Sequence, residues 1–105
     1  MKVGCCSIKF FLHGNNSLKE KRRITKSIKD RMKNKFNISI AEIGDQDVWQ
    51  NLHLGIVAVG SDHKYLDGLM NKVVEAIDKM HLAEMTDCQI KTIHLGPLDP
   101  MYNQE

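Results

Sequence analysis

The sequence is short of the residues that punctuate, crosslink or span. Its two prolines, Pro97 and Pro100, both lie beyond Gly96, so no proline interrupts the preceding chain. No stretch is rich enough in Pro, Gly or Ser to serve as a linker, and no internal repeat or low-complexity run is visible. Three cysteines, Cys5, Cys6 and Cys88, form an odd set without C-x-x-C spacing, which argues against a disulfide framework and against a zinc site. No apolar run approaches the roughly 18 residues of a transmembrane helix. Ser7 and Lys9 interrupt the apolar stretch Met1–Leu12, and no small-residue cleavage site follows it, so a signal peptide is not indicated. A soluble cytoplasmic protein is expected, with no membrane partner.

Aromatics are scarce too. The six are Phe10, Phe11, Phe36, Trp49, Tyr65 and Tyr102. They do not supply the paired aromatics on central strands by which RRM domains stack bases, and no GxxG clamp marks a KH domain. A sequence-specific reader of single strands is therefore not expected. Gly4, Gly44, Gly55 and Gly60 are isolated, and none belongs to a Walker or Rossmann loop. His13, His53, His63, His81 and His94 show neither ligand spacing nor a partner nucleophile, and read as surface or strand residues. No catalytic residue, metal site or small-molecule cofactor is predicted.

What the sequence has is a polarised charge distribution. Between Ser17 and Phe36 there are nine basic and two acidic residues, a net +7; the remainder holds six basic and eleven acidic residues, a net −5. The overall +2 hides this division. Ser17 followed three residues on by Glu20 is a capping box, in which the Glu20 side chain can reach back to the Ser17 amide. Leu18, Ile24, Thr25, Ile28 and Met32 then fall on one side of a helix. Lys19, Arg22, Lys26, Lys29 and Lys33 draw a basic ridge along its flank, with Arg23 and Arg31 on the outer face. Lys21 falls inside the apolar arc, where it must snorkel out or pair with an acid.

The other segments complete a pattern. Residues 2–12 alternate as a half-buried strand with Cys6, Ile8, Phe10 and Leu12 on one face, and His13-Gly14-Asn15-Asn16 is a turn. A second strand is expected over 36–43 and a third over 51–60, where Leu52, Leu54, Ile56 and Ala58 share a face. Val57 and Val59 make the third strand apolar on both sides, as in an internal strand. Ser61 or Asp62 caps a second helix to about Met80, with a stripe of Leu66, Leu69, Met70, Val73, Val74 and Ile77. Residues 87–95 form a last strand. The order βαββαβ predicts an α+β, ferredoxin-like fold over residues 1–96, with two helices on one face of a four-stranded antiparallel sheet of order 4-1-3-2. Residues 97–105 read as a polar tail.

That topology gathers His13–Arg23 and Gly44–Gln50 at one end of the sheet. Lys21, Asp45, Gln46, Asp47 and Trp49 then form a structural end-loop cluster, with Asp45 and Asp47 pairing with Lys21 or Arg22 and Trp49 closing the core. Two carboxylates alone are a weak metal signal. The topology also puts Cys88 at the opposite end of the sheet from Cys5 and Cys6, beyond disulfide reach. Phe11, Val57, Val59 and Ile93 would point away from the helices, leaving a partly apolar face; this face or a strand edge is expected to support a homodimer.

NSLKEKRR, FNISIAEIGDQDVWQ and LGIVAVGSD together resemble the YlxP-like family of small bacterial proteins of unassigned function, over roughly residues 1–95. The chain departs from that pattern in having His13-Gly14 in place of a Pro-Gly turn, and in its GPLDPMYNQE ending. The resemblance implies a ferredoxin-like fold and a translation-related setting, since members are similar to accessory proteins encoded beside ribosome-assembly and initiation factors. It brings no established catalytic residues.

Three functional classes follow. The first is a non-catalytic RNA- or ribosome-binding accessory protein whose ridge residues Lys19, Arg22, Arg23, Lys26, Lys29, Arg31 and Lys33 contact phosphates, the groups that supply most non-specific affinity for nucleic acid. The second is a protein-interaction or homodimerisation module with an acidic protein partner. The third is an enzyme using Lys21 with Asp45 and Asp47.

Overall fold

The computed structural model describes residues 1–96; the tail expected over 97–105 lies outside the described residues. The elements follow in the order β1 (Lys2–Phe11), α1 (Leu18–Lys35), β2 (Ser39–Gly44), β3 (Asn51–Gly60), α2 (His63–Asp78) and β4 (Glu84–His94). The sheet has the order β2-β3-β1-β4, which is the expected 4-1-3-2 read from the other edge, and every pairing is antiparallel. The fold is ferredoxin-like.

Alternation decides which face of the sheet meets the helices. Cys6, Ile8 and Phe10 of β1, with Leu12 just beyond it, lie buried beside Leu52, Leu54, Ile56 and Ala58 of β3 and Ile40 of β2. Ile28 and Met32 of α1 and Leu66, Met70, Val73 and Ile77 of α2 close this core. Each fully buried side chain of that size contributes about 1.5–3 kcal/mol by leaving water. The ends of α1 are set locally. The Glu20 amide donates to Ser17 Oγ at 3.1 Å, and the Phe36 amide donates to the Met32 carbonyl at 2.8 Å. The second helix is capped by Asp62, whose carboxylate accepts from the Lys64 amide at 3.3 Å.

Two strand boundaries differ from expectation. Phe36 and Ile38, read as the start of β2, instead form the connection from α1, and pairing begins at Ser39. At the other end, β4 begins at Glu84 rather than 87, because Glu84 and Met85 pair with Phe11 and Phe10 across a bulge.

The longer β4 overturns the expected separation of the cysteines. Cys88 pairs with Ile8, and Cys6 with Ile90, so Cys6 and Cys88 are diagonal neighbours on adjacent strands rather than residents of opposite ends. Both are free thiols, Cys6 buried and Cys88 exposed. Burial, reinforced by Cys88, pushes the Cys6 thiol up to about 12. Since the thiolate is the reactive form, a thiol reagent at pH 8 is expected to modify Cys88 and spare Cys6 until the chain is unfolded. Mass spectrometry of labelled native protein checks this, and native labelling of Cys6 would contradict it.

Candidate nucleic-acid interface

Helix α1 places its basic residues as the spacing requires. Lys19, Arg22, Arg23, Lys26, Arg31 and Lys33 are exposed and Lys29 is half-buried. Their opposite face carries Ile28 and Met32 into the core, which fixes the helix's rotation on the sheet. A groove of about 390 Å³ runs between α1 and β2, bringing Arg22, Lys26, Lys29 and Lys33 together with Thr25, Asp30 and Glu42. Lys19, Arg23 and Arg31 lie outside this groove.

Among the described residues, the only ion pair made by a ridge residue is Lys26–Asp30, at 2.7 Å and exposed. Lys26 holds the Asp30 carboxyl below its ordinary range, chiefly through its hydrogen bond; the charges of Lys26, Lys33 and Lys29 act in the same direction. One carboxylate thus answers several cations, and the ridge keeps a positive field.

The end-loop cluster forms at the expected end of the sheet, but its wiring differs. The Leu12 amide donates to the Gln50 carbonyl at 2.8 Å, and the Asn15 side chain donates to the Trp49 carbonyl. Lys21 is 2% exposed and sends its ammonium upward into the loop. It donates to the Asp45 carbonyl and, at 2.8 Å, to the Val48 carbonyl. Its ion-pair partner is Glu42, at 2.9 Å. The expected carboxylate pairing with Asp45 or Asp47 is therefore replaced by a backbone carbonyl of Asp45 and the carboxylate of Glu42. The ammonium thus donates to two loop carbonyls and is neutralised by the Glu42 carboxylate beside it.

Sequence parity contains the missed partner. Glu42 lies two residues after buried Ile40 on β2 and pairs with buried Leu54, which turns it toward the helices. An acid on the core face of a strand and a lysine in the apolar arc of the facing helix are mutual signals.

Trp49 corrects a second expectation. It does not close the core, because it is 46% exposed. That role falls to Leu12 and Leu52, both essentially inaccessible. Asp45 adopts a positive φ of 55° and turns the loop, and the Gln46 side chain donates to the Glu42 carbonyl at 3.4 Å. Asp45, Gln46 and Asp47 are exposed. Lys21 is thus held away from the exposed Asp45 and Asp47 carboxylates, by the loop carbonyls and Glu42.

One histidine does have a nucleophile beside it. Ser7 Oγ and His53 Nε2 are 2.8 Å apart on the open face of the sheet, a pair that spacing along the chain could not reveal. Ser7 sits on a strand paired on both sides, so the amides around it serve the ladder and do not form an oxyanion hole. His13 forms a surface pair with Glu84 at 2.6 Å. Among the described residues, no helix is long and apolar enough to cross a membrane.

Comparison with known proteins agrees with this architecture. A de novo designed protein with a ferredoxin fold, LFR1 1, superposes with a TM-score of 0.56 at 14% identity, covering 95% of this chain and 93% of its own. The structural-genomics protein YJCS superposes with a TM-score of 0.51 at 8% identity, covering 88% of this chain and 99% of its own. At such identities the likeness concerns the fold alone. In sequence, the chain is 39% identical over 84 residues to "Uncharacterized protein YlxP" of Bacillus subtilis (strain 168), covering 80% of this chain and 91% of that protein. The family described as "Protein of unknown function (DUF503)" matches residues 3–90. Taken with the YlxP likeness, that match establishes that the chain belongs to the DUF503, YlxP-like family.

Proposed function

We propose that the protein is a cytoplasmic RNA-binding accessory factor, acting on RNA or a ribosomal particle through the basic flank of α1. The observation that carries this reading is an exposed row of cations answered by a single ridge ion pair among the described residues. A solubilising face is ordinarily interspersed with both signs, whereas this helix concentrates a net +7 that the rest of the chain does not share. Cations in a groove suit a chain of phosphates, and shape-and-backbone recognition requires no set of stacked bases. The reading assigns the protein no catalytic step.

The test is salt. If about five phosphates of a single strand are contacted, the log–log dependence of affinity on salt has a slope of about −3.5. Co-sedimentation with ribosomal particles from lysate at low and moderate salt checks the cellular form of the claim. Salt-sensitive association with one subunit supports it. Absence of association at both salts, together with a flat salt dependence for RNA, refutes it.

A second reading rests on a separate observation, the open face of the sheet. Val57, 43% exposed, lines a shallow depression with Cys5, Ser7 and Gly55, and Val59 and Ile93, 65% and 48% exposed, lie on the same face beyond it. Such a face fits a protein-interaction module that forms a homodimer, with the basic helix α1 on the other side of the sheet left for an acidic protein partner. Analytical ultracentrifugation decides the dimer, since a monomer at high concentration eliminates it.

A further inference from the structure

The end loop presents the chain's single tryptophan to solvent in a fixed place, and the core does not use it. We propose that the indole of Trp49 is a stacking platform for one unpaired base of the strand whose phosphates lie along α1. This rests on the RNA-binding reading and adds to it a contact with a base.

Two buried side chains hold the loop from beneath. Asn15, 4% exposed, donates to the carbonyl of Trp49 itself, and Lys21, 2% exposed, donates to the carbonyls of Val48 and Asp45. Both supports belong to the start of α1: Asn15 precedes the Ser17 cap, and Lys21 directly precedes Arg22 of the ridge. The loop carrying the indole is thereby fixed against the amino-terminal end of the cationic row. A large aromatic half in water on a tethered loop is placed for a partner, because exposure gains the fold nothing. The flat face of a nucleobase is the partner that charge selects. The ridge supplies cations for phosphates, while the exposed carboxylates of Asp45 and Asp47 repel phosphate from the loop itself. What the loop can accept from a polyanion is its uncharged part. Stacking on one aromatic tolerates any base, which agrees with the absence of paired aromatics on the strands.

Because Trp49 is the sole tryptophan, its emission reports the contact directly. The full chain is titrated with an unstructured 12-nucleotide RNA and, separately, with inorganic polyphosphate. RNA is expected to quench Trp49, whereas polyphosphate displaces a labelled RNA from the ridge and leaves the emission unchanged. Trp49→Ala and Trp49→Leu should each weaken the labelled RNA about tenfold, and Trp49→Phe should recover part of the loss. Leucine keeps apolar bulk without a π-face, so full RNA affinity in Trp49→Leu overturns stacking. Undiminished binding by Trp49→Ala, or RNA bound with unchanged emission, overturns the platform while leaving the RNA reading intact. Failure of both polyanions to bind overturns that reading, and the platform with it.

Discussion

Replacing Lys21 by Met is expected to destabilise the protein by about 3–5 kcal/mol, the range for breaking a buried ion pair by removing one partner. The substitution keeps the apolar stem and removes only the ammonium. It leaves the Glu42 carboxylate without its cation and the Asp45 and Val48 carbonyls without their donor. Against a total stability of about 5–15 kcal/mol, this is a large fraction. Urea unfolding measures the effect. A loss under about 1 kcal/mol would show that the buried ammonium is dispensable.

A second variant separates the two jobs of Lys21. Adding Glu42→Leu to Lys21→Met removes the orphaned charge and should recover about half of the loss, because replacing both partners by apolar groups is far less costly than removing one. The loop carbonyls remain unpaired in the double variant. Hydrogen exchange around residues 45–50 should therefore stay as fast as in Lys21→Met even though global stability has partly returned. Full recovery of both would mean that Lys21 serves Glu42 alone.

The other large effect concerns binding. Reversing Lys26 and Lys29 to Glu is expected to weaken RNA roughly 100-fold at low salt and to reduce the salt slope from about −3.5 to about −2, through loss of two phosphate contacts and repulsion from two new carboxylates. The fold should survive. Lys26 is exposed, and its pair with Asp30 belongs to the i,i+4 class worth about 0.3–0.5 kcal/mol. A Glu at position 29 stands four residues before Lys33, the favourable orientation, which offsets the repulsion that a Glu at position 26 meets from Asp30. Circular dichroism and thermal unfolding confirm the fold, and a binding isotherm in labelled RNA gives the affinity. An unchanged isotherm in a folded variant removes the ridge from the proposed function.

The outcome at Lys21 and Trp49 explains how far the chain could be read in advance. The capping serine, the 3.6-residue stripe and the alternating strands are local regularities, and they led directly to the six elements and their order. The ridge belongs to the same class, because spacing on one helix fixes which cations share a flank. The end-loop cluster was legible as a neighbourhood: connections in this topology must bring Asn15, Lys21 and Gly44–Gln50 together. Its internal pairing was not. Proximity in the topology favoured Asp45 and Asp47, but their carboxylates remain in solvent, where an ion pair gains little. The buried ammonium instead takes the half-buried carboxylate that β2 turns inward beside it.

The cysteines make the same point through register. Leaving Glu84, Met85 and Thr86 out of the expected last strand moved Cys88 from mid-strand to an end, and with it the expected distance from Cys6. Element type, element order and the charge division of this protein were thus determined by the sequence alone, because each arises from a period or a composition within one segment. Which acid neutralises Lys21, whether Trp49 faces the core or water, and which thiols adjoin were decided only by the tertiary structure. Each depends on the register between segments distant in sequence, where shifting by a single residue reverses the face a side chain occupies.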